Sequence, residues 1–217
     1  MSQARAREAI CGVGASLFAR GYVHATAGNI SVRLDDESGG YLVTPTDACL
    51  GFLDPARLAH VDADGRPIAG DPPSKTIALH LRIYAAARRF DANTSCVIHT
   101  HSTHCVALTL RARTAELLPP ITPYFVMKVG HVPMIPYRRP GDPEVADLVL
   151  AHAARVRAVV MERLGPLVWH DTVSAACFAL EELEETAKLW LMLRNAPPSA
   201  LSEARIDEIR RAFNIAY

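Results

Sequence analysis

The most informative part of the sequence is residues 96–104, Cys96-Val97-Ile98-His99-Thr100-His101-Ser102-Thr103-His104. The first three residues form a short apolar run that predicts a buried strand, and Ser102 is placed to cap a following helix. In an extended backbone, residues two apart point to the same side, so His99 and His101 can direct two imidazoles toward one point. The stretch therefore predicts a metal site where the strand ends.

Two alternatives stay open for these histidines. His99 and His101 could instead be a pair of partly exposed histidines at a strand end. His104 falls inside the predicted helix, where it could support the metal ligands from behind or only cover the helix surface.

The pattern on either side of this stretch alternates between strand and helix signals. An amphipathic helix is predicted first, then a hairpin, a further extended pair around Asp64-Gly65, and a helix capped by Ser74. After the histidines, two strands separated by a helix precede two C-terminal helices, the first capped by Thr172. The predicted ranges are helices 4–20, 75–89, 143–156, 172–193 and 201–213 and strands 29–34, 41–44, 96–98, 132–136 and 157–161. Such a mixture predicts an α/β domain with helices on both sides of a sheet.

The composition restricts the class of protein. The chain has 217 residues, of which 50% are hydrophobic. This length and composition predict one domain spanning residues 1–217. The formal net charge is zero and like charges do not cluster, which disfavours nucleic acid as a partner. No apolar run approaches the roughly 20 residues of a membrane span, and we expect a cytoplasmic protein. The five cysteines are scattered without a C-x-x-C pair, which predicts reduced thiols.

Several strings resemble the class II aldolase/adducin family in order and spacing, over nearly the whole chain. They are residues 26–33 (Thr-Ala-Gly-Asn-Ile-Ser-Val-Arg), Thr44-Pro45-Thr46, Pro73-Ser74 with His80, and the histidine cluster. Within the family, residues 122–127, 136–143 and 181–188 look most like the 3-oxo-tetronate 4-phosphate decarboxylase branch.

The resemblance implies a three-layer α/β/α sandwich, with a central mixed sheet flanked by helices. It also implies a homotetramer with active sites between subunits and a divalent metal ion, zinc or manganese, with iron(II) as an alternative. The metal would stabilise the enediolate left by breaking a carbon–carbon bond. We therefore expect a metal-dependent lyase, an aldolase or a decarboxylase, acting on a small oxygenated acid in general or specialised metabolism.

The family's functional positions are partly kept. The resemblance assigns a phosphate pocket to Asn29, Thr46 and Ser74, with Lys75 beside them, and a helix N-terminus with hydroxyl groups is a sound anion site. It also places Tyr124 and Tyr137 near the substrate as candidate proton donors. The alternatives are that Ser74 and Asn29 only complete local structure and that the tyrosines only pack against proline.

Three positions depart from the family pattern. Asp47 stands where relatives carry glycine, which adds negative charge beside the phosphate pocket. Thr76 replaces the family's catalytic glutamate and cannot act as a carboxylate base. Leu164 replaces the third metal-binding histidine.

A carboxylate could fill the vacated ligand position. If the strand continues regularly, Glu162 shares a face with residue 164 and could bind the metal. A surface ion pair with Arg163 or Arg157 is the alternative, and His131 and His170 are further substitute ligands. Two histidines and a carboxylate would suit a non-haem iron(II) oxygenase, which is a second functional hypothesis. A catalytically silent oligomeric binding protein is the third.

Overall fold

The computed structural model describes residues 2–37, 39–111, 115–193, 195–196 and 198–215. Its strands are β1 (Asn29–Arg33), β2 (Tyr41–Val43), β3 (Ala59–Val61), β4 (Pro67–Ala69), β5 (Cys96–His99), β6 (Met134–Ile135), β7 (Ala158–Met161) and β8 (Gly165–His170). Its helices are α1 (Gln3–Ala19), α2 (Ile77–Ala87), α3 (Thr103–Thr109), α4 (Pro123–Lys128), α5 (Glu144–Ala153), α6 (Val173–Met192) and α7 (Glu203–Phe213). No helix in these ranges is both long and apolar enough to cross a membrane.

The strands form an eight-stranded sheet in the order β4-β3-β2-β1-β5-β8-β7-β6. Among the described pairs, β6 and β7 run parallel and the others run antiparallel, so the sheet is mixed as expected. The predicted β1–β2 hairpin and the extended pair around Asp64-Gly65 are both present. The histidine-bearing strand β5 lies near the middle of the sheet, between β1 and β8.

Side-chain alternation along the strands sends apolar residues to two separate cores. Ile30, Cys96 and Ile98 face a core shared with α1, α3, α4 and α6. Val97 and Leu167 face a second core shared with α2 and α5. Because successive strand residues point to opposite faces, both faces of the sheet are covered by helices. The predicted three-layer α/β/α architecture is confirmed.

Two elements were not predicted from the sequence. Residues 123–128, interpreted as part of a proline-rich loop, form helix α4, because Pro123 suits a first helical position and the Thr122 hydroxyl accepts from the Phe125 N–H. The strand β8 was not predicted: the predicted strand ended at residue 161, and continuation past it was only the condition under which Glu162 could bind the metal. Each missed element begins with a residue that is typical of turns, Pro123 in α4 and Gly165 in β8.

Two of the three residues predicted to cap helices occupy the cap position, and one of these two makes a capping hydrogen bond. Thr172 caps α6 by accepting from the Ala175 N–H. Ser74 lies two residues before the α2 cap position, where its hydroxyl contacts that of Thr76 at 2.9 Å. Ser102 occupies the cap position of α3, but in the described structure its side chain makes no capping bond.

Candidate functional site

Two glycines hold the backbone at the end of β5. Gly28 has φ +86°, and a Cβ there would lie 2.8 Å from the carbonyl oxygen of His99. Gly165 has φ +116°, and a Cβ there would lie 2.4 Å from the carbonyl oxygen of Thr100 and 3.1 Å from Cα of His101. A side chain at either position would push the backbone of 99–101 away. The two glycines therefore allow neighbouring backbone to pack closely against residues 99–101.

His99 has the properties of a neutral metal ligand. The residue is buried, and its Nδ1–H donates a hydrogen bond of 2.8 Å to the carbonyl oxygen of Pro166. This bond fixes the tautomer and leaves the lone pair of Nε2 free, as in many metal-binding histidines. Burial, and next the neighbouring His101, lower the pKa of His99 to about 4. The ring is thus neutral at physiological pH.

His101 lies beside His99. Their ring centroids are 4.9 Å apart, with the ring planes inclined by 58°. Burial lowers the pKa of His101, and the neighbouring His24 lowers it further. Two adjacent neutral imidazoles are a donor set that suits a divalent ion. His24 was not singled out in the sequence, although it lies two residues before the family-like string at 26–33.

The donor set contributed by the described residues stops at two imidazoles. No group of three His, Cys, Asp or Glu side chains in this part of the chain is arranged to hold a metal ion. A metal held by His99 and His101 would need further donors, such as water or substrate, to complete its coordination shell.

The structural basis for Glu162 as the third ligand was wrong. Strand β7 ends at Met161, and residues 162–164 form the turn that leads into β8, so strand parity does not apply to them. The Glu162 carboxylate accepts from the Tyr137 N–H at 2.9 Å and lies 3.5 Å from Nε of Arg163. The alternative of an ion pair with Arg163 agrees with this geometry.

The two substitute histidines also have local partners. His170 pairs with Asp171 and lies across from Cys96, at the opposite end of β5 from His99. The Nδ1 atom of His131 lies 3.7 Å from the Glu116 carboxylate. Leu164 is half-buried and packs against the core that contains α2 and α5. None of these three residues adds a donor beside the histidine pair.

Backbone hydrogen bonds bring the predicted phosphate-binding residues together. The Ser74 N–H donates to the carbonyl of Thr44 at 3.1 Å, and the Thr46 N–H donates to that of Pro72 at 2.9 Å. The Thr44 hydroxyl accepts from the Ile30 N–H, next to Asn29. Asn29 is itself the register partner of His99. The loops carrying Asn29, Thr46 and Ser74 thus meet near the histidine strand.

The charged residues of this region are at its surface. Lys75 and Asp47 are exposed, and Asp47 adopts a left-handed conformation with φ +55°, which favours glycine. Thr76, at the cap position of α2, is half-buried. A basic and an acidic side chain therefore lie beside the same pair of loops.

Buried polar groups lie behind these loops. The Oδ1 atom of Asn29 and the Nε2 atom of His80 are buried and have no partner among the described residues. His80 is held by Ser31, whose hydroxyl lies 2.8 Å from Nδ1. Burial, and next His99, lower the pKa of His80 to about 3, so this ring is neutral. Unpartnered buried polar atoms are rare in folded proteins and call for an explanation such as a bound ligand or water.

The two candidate tyrosines lie at the surface. Tyr124 is 61% exposed and Tyr137 is 49% exposed. Tyr124 lines a depression of about 310 Å³ between α4 and α6, together with Arg20, Lys128, Phe178, Glu181, Glu182 and Glu185. The Tyr137 N–H is bonded to Glu162. In the described part of the chain, no hydrogen bond or ring contact joins either phenol to the histidine pair.

A contact that the sequence did not suggest joins α3 to α6. The Glu184 carboxylate is buried and accepts hydrogen bonds from the backbone N–H and the ring Nδ1–H of His104, each at 2.8 Å. The two residues are 80 positions apart, and local patterning carries no signal for such a pair. The backbone and the ring of His104 are therefore both held by Glu184.

Comparison with known proteins identifies the family. Residues 8–191 match the family described as Class II Aldolase and Adducin N-terminal domain. The chain is 55% identical to a 3-oxo-tetronate 4-phosphate decarboxylase of Cupriavidus necator, covering 100% of this chain and 99% of that protein. A protein of the same name from Escherichia coli K12 is 41% identical, with 94% of each chain covered.

Solved structures agree with this relationship. YgbL from Escherichia coli is 40% identical and has a TM-score of 0.89, over 96% of this chain and 99% of that one. L-fuculose-1-phosphate aldolase from Thermus thermophilus is 27% identical and has a TM-score of 0.75, over 90% and 99%. Given its central sheet, its histidine strand and these matches, the chain belongs to the class II aldolase and adducin family.

Proposed function

We propose that the chain is a metal-dependent carbon–carbon lyase that decarboxylates a small phosphorylated 3-oxo acid of the 3-oxo-tetronate 4-phosphate type. The observation that carries this proposal is the meeting of two neutral imidazoles, His99 and His101, with the loops of Asn29, Thr46 and Ser74. The two imidazoles suit a divalent metal, and the segments that carry Asn29, Thr46 and Ser74 suit a phosphate. The names of the relatives supply the substrate class.

The residues of the anion pocket would bind and orient the phosphate. Ser74 and Thr46 can donate from hydroxyl groups, and Asn29 can donate from its amide nitrogen. Lys75 would offset the charge of Asp47, which lies on the neighbouring loop. Fixing the phosphate end of the substrate leaves the oxo acid end for the histidine pair.

A bound divalent ion would act as a Lewis acid at the oxo group and favour the loss of CO₂. Decarboxylation requires an electron sink and no base to remove a proton from carbon. The replacement of the family's catalytic glutamate by Thr76 is therefore compatible with a decarboxylase and disfavours an aldolase that needs that base. The oxygenase hypothesis depended on Glu162 as a ligand, and the turn at 162–164 removes that argument.

The phosphate assignment predicts a selective effect of Ser74→Ala. We expect the KM for 3-oxo-tetronate 4-phosphate to rise about 10- to 100-fold, since a hydrogen bond to a charged group contributes roughly 1.5–3 kcal/mol. CO₂ release measured with the phosphorylated acid and its unphosphorylated analogue tests this, because the analogue should show little change. Ser202→Ala is the matched control, since Ser202 precedes α7 and makes no capping bond. Equal effects of Ser74→Ala on both substrates would contradict the assignment.

We also propose that the chain assembles as a homotetramer. Several apolar side chains on α6 or just after it are exposed, notably Phe178, Leu189, Met192 and Leu193. Leu180, Leu183 and Ala187 of the same helix are buried in the core, so the exposed residues lie on the opposite side of α6, with Leu189, Met192 and Leu193 together near its C-terminal end. Such a face favours contact with another copy.

Light scattering at micromolar concentration should give four times the chain mass of 23.6 kDa. Met192→Glu should lower that mass, because a charge at an apolar contact carries a desolvation cost. A monomer mass for the unaltered chain would contradict the proposal.

A further inference from the structure

The Glu184 carboxylate caps helix α3 from a distant helix. The side chain is 2% exposed and accepts from the His104 N–H at 2.8 Å and from the Cys105 N–H at 3.0 Å. Ser102, at the cap position, makes no such bond in the described structure. Burial raises the pKa of Glu184, but the hydrogen bonds from the backbone N–H groups and the side chains of His104 and Cys105 together outweigh burial, and the pKa lies below its usual value. The buried carboxylate is thus ionised.

Capping does not explain the third hydrogen bond of Glu184. The ring Nδ1–H of His104 donates to Oε1 at 2.8 Å. A carboxylate on Nδ1 fixes the tautomer and orientation of an imidazole and stabilises the imidazolium when it forms. The His104 side chain is 37% exposed, and its Nδ1 is held by Glu184, which leaves Nε2 without a partner among the described residues. Glu184 and His104 therefore form a carboxylate–histidine dyad in which Nε2 is the nitrogen available for proton transfer.

The dyad is close to the histidine pair in the chain. His104 follows His101 by three residues, and three residues span at most about 11 Å. Gly165 packs against the backbone of Thr100 and His101, immediately before the residues that lead to His104. The reaction proposed above leaves a carbanion-like enolate that must gain a proton, and Thr76 is a poor donor for it.

We propose that His104, oriented by Glu184, is the catalytic residue that protonates the product carbon after CO₂ leaves. The inference rests on the proposed function. When the bond between the carboxyl carbon and C2 breaks, its electron pair stays on the substrate as an enolate. The Nε2–H bond of the His104 imidazolium then breaks and its proton bonds to C2. The ring becomes neutral, keeps its Nδ1–H bond to Glu184, and regains a proton from water.

The decisive variant is His104→Gln. It keeps the backbone N–H groups of residues 104 and 105, so the cap on α3 is preserved. We expect kcat for 3-oxo-tetronate 4-phosphate to fall about 100-fold or more, the usual range for a general acid, while KM, metal content and Tm stay near those of the unaltered protein. Free imidazole should restore part of the activity of His104→Gly. His152→Gln, on α5, is the matched control and should leave kcat unchanged.

A readout independent of turnover examines the dyad itself. In the ¹H–¹⁵N spectrum of the unaltered protein, a downfield Nδ1–H signal from His104 is expected, and Glu184→Gln should shift or remove it while lowering kcat at least tenfold. Absence of CO₂ release by the unaltered protein would overturn the proposed function and this inference with it. An active unaltered protein with an equally active His104→Gln overturns the inference alone, as does loss of metal from His104→Gln, which would make His104 a support of the ligands.

Discussion

Replacing His99 and His101 together with alanine is expected to remove stoichiometric divalent metal and to abolish turnover. The two rings lie 4.9 Å apart, and Nδ1 of His99 is engaged with Pro166, so Nε2 of His99 is its available donor. These two rings are the side-chain donors of the proposed site, so replacing both removes its protein ligands. Elemental analysis of protein purified without chelator should find about one metal per chain before the change and none after it.

The design of this experiment separates ligand loss from misfolding. His99 is buried, and removing its bond to Pro166 is expected to destabilise the fold, whereas the half-buried His101 can be changed alone with a smaller cost. His101→Ala should already weaken metal binding at least tenfold. His152→Gln is the control that removes a histidine elsewhere. Metal retained by a folded double variant would place the site away from β5.

The identity of the metal bears on the reaction. Zinc or manganese in the unaltered protein would favour the lyase, iron with oxygen consumption would favour an oxygenase, and no metal would favour a silent binding protein. Two imidazoles suit several first-row ions, so the ligand type alone does not choose among them.

The histidine strand could be predicted because its signals are local. An apolar run followed by alternating histidines fixes both the buried strand and the side to which two rings point. The hairpin of β1 and β2 was likewise visible in the alternation of 29–34 and the glycines at 39 and 40. These features depend on neighbours in sequence, and the structure agrees with them.

The failures come from features that depend on distant parts of the chain. Residues 161–165 turn back because β7 pairs with β8, with Arg163 at φ +65° and Gly165 at φ +116°. Without knowledge of that pairing, Glu162 and Leu164 looked like two residues on one strand face. The bond between Glu184 and His104 likewise spans two helices. Parity and periodicity describe one element at a time, and they do not report where that element meets another.

Replacing Gly165 with alanine should strongly destabilise the protein. The φ of +116° is nearly restricted to glycine and costs other residues roughly 1–3 kcal/mol. The new Cβ would also lie 2.4 Å from the carbonyl oxygen of Thr100, and overpacking of this kind costs roughly another 1–3 kcal/mol. We expect the free energy of unfolding to fall by about 3 kcal/mol or more, measured by urea denaturation.

The same substitution should also disturb the histidine site, because the atoms that must move are the backbone of Thr100 and Cα of His101. Metal affinity of the folded fraction should therefore fall with stability. Gly12→Ala is the matched control: Gly12 is exposed on α1, nothing lies within 4 Å of its added Cβ, and alanine in a helix should stabilise by roughly 0.5–1 kcal/mol. A Gly165→Ala protein with unchanged stability and metal affinity would show that the turn can relax away from β5, and that the close backbone packing is not what positions His101.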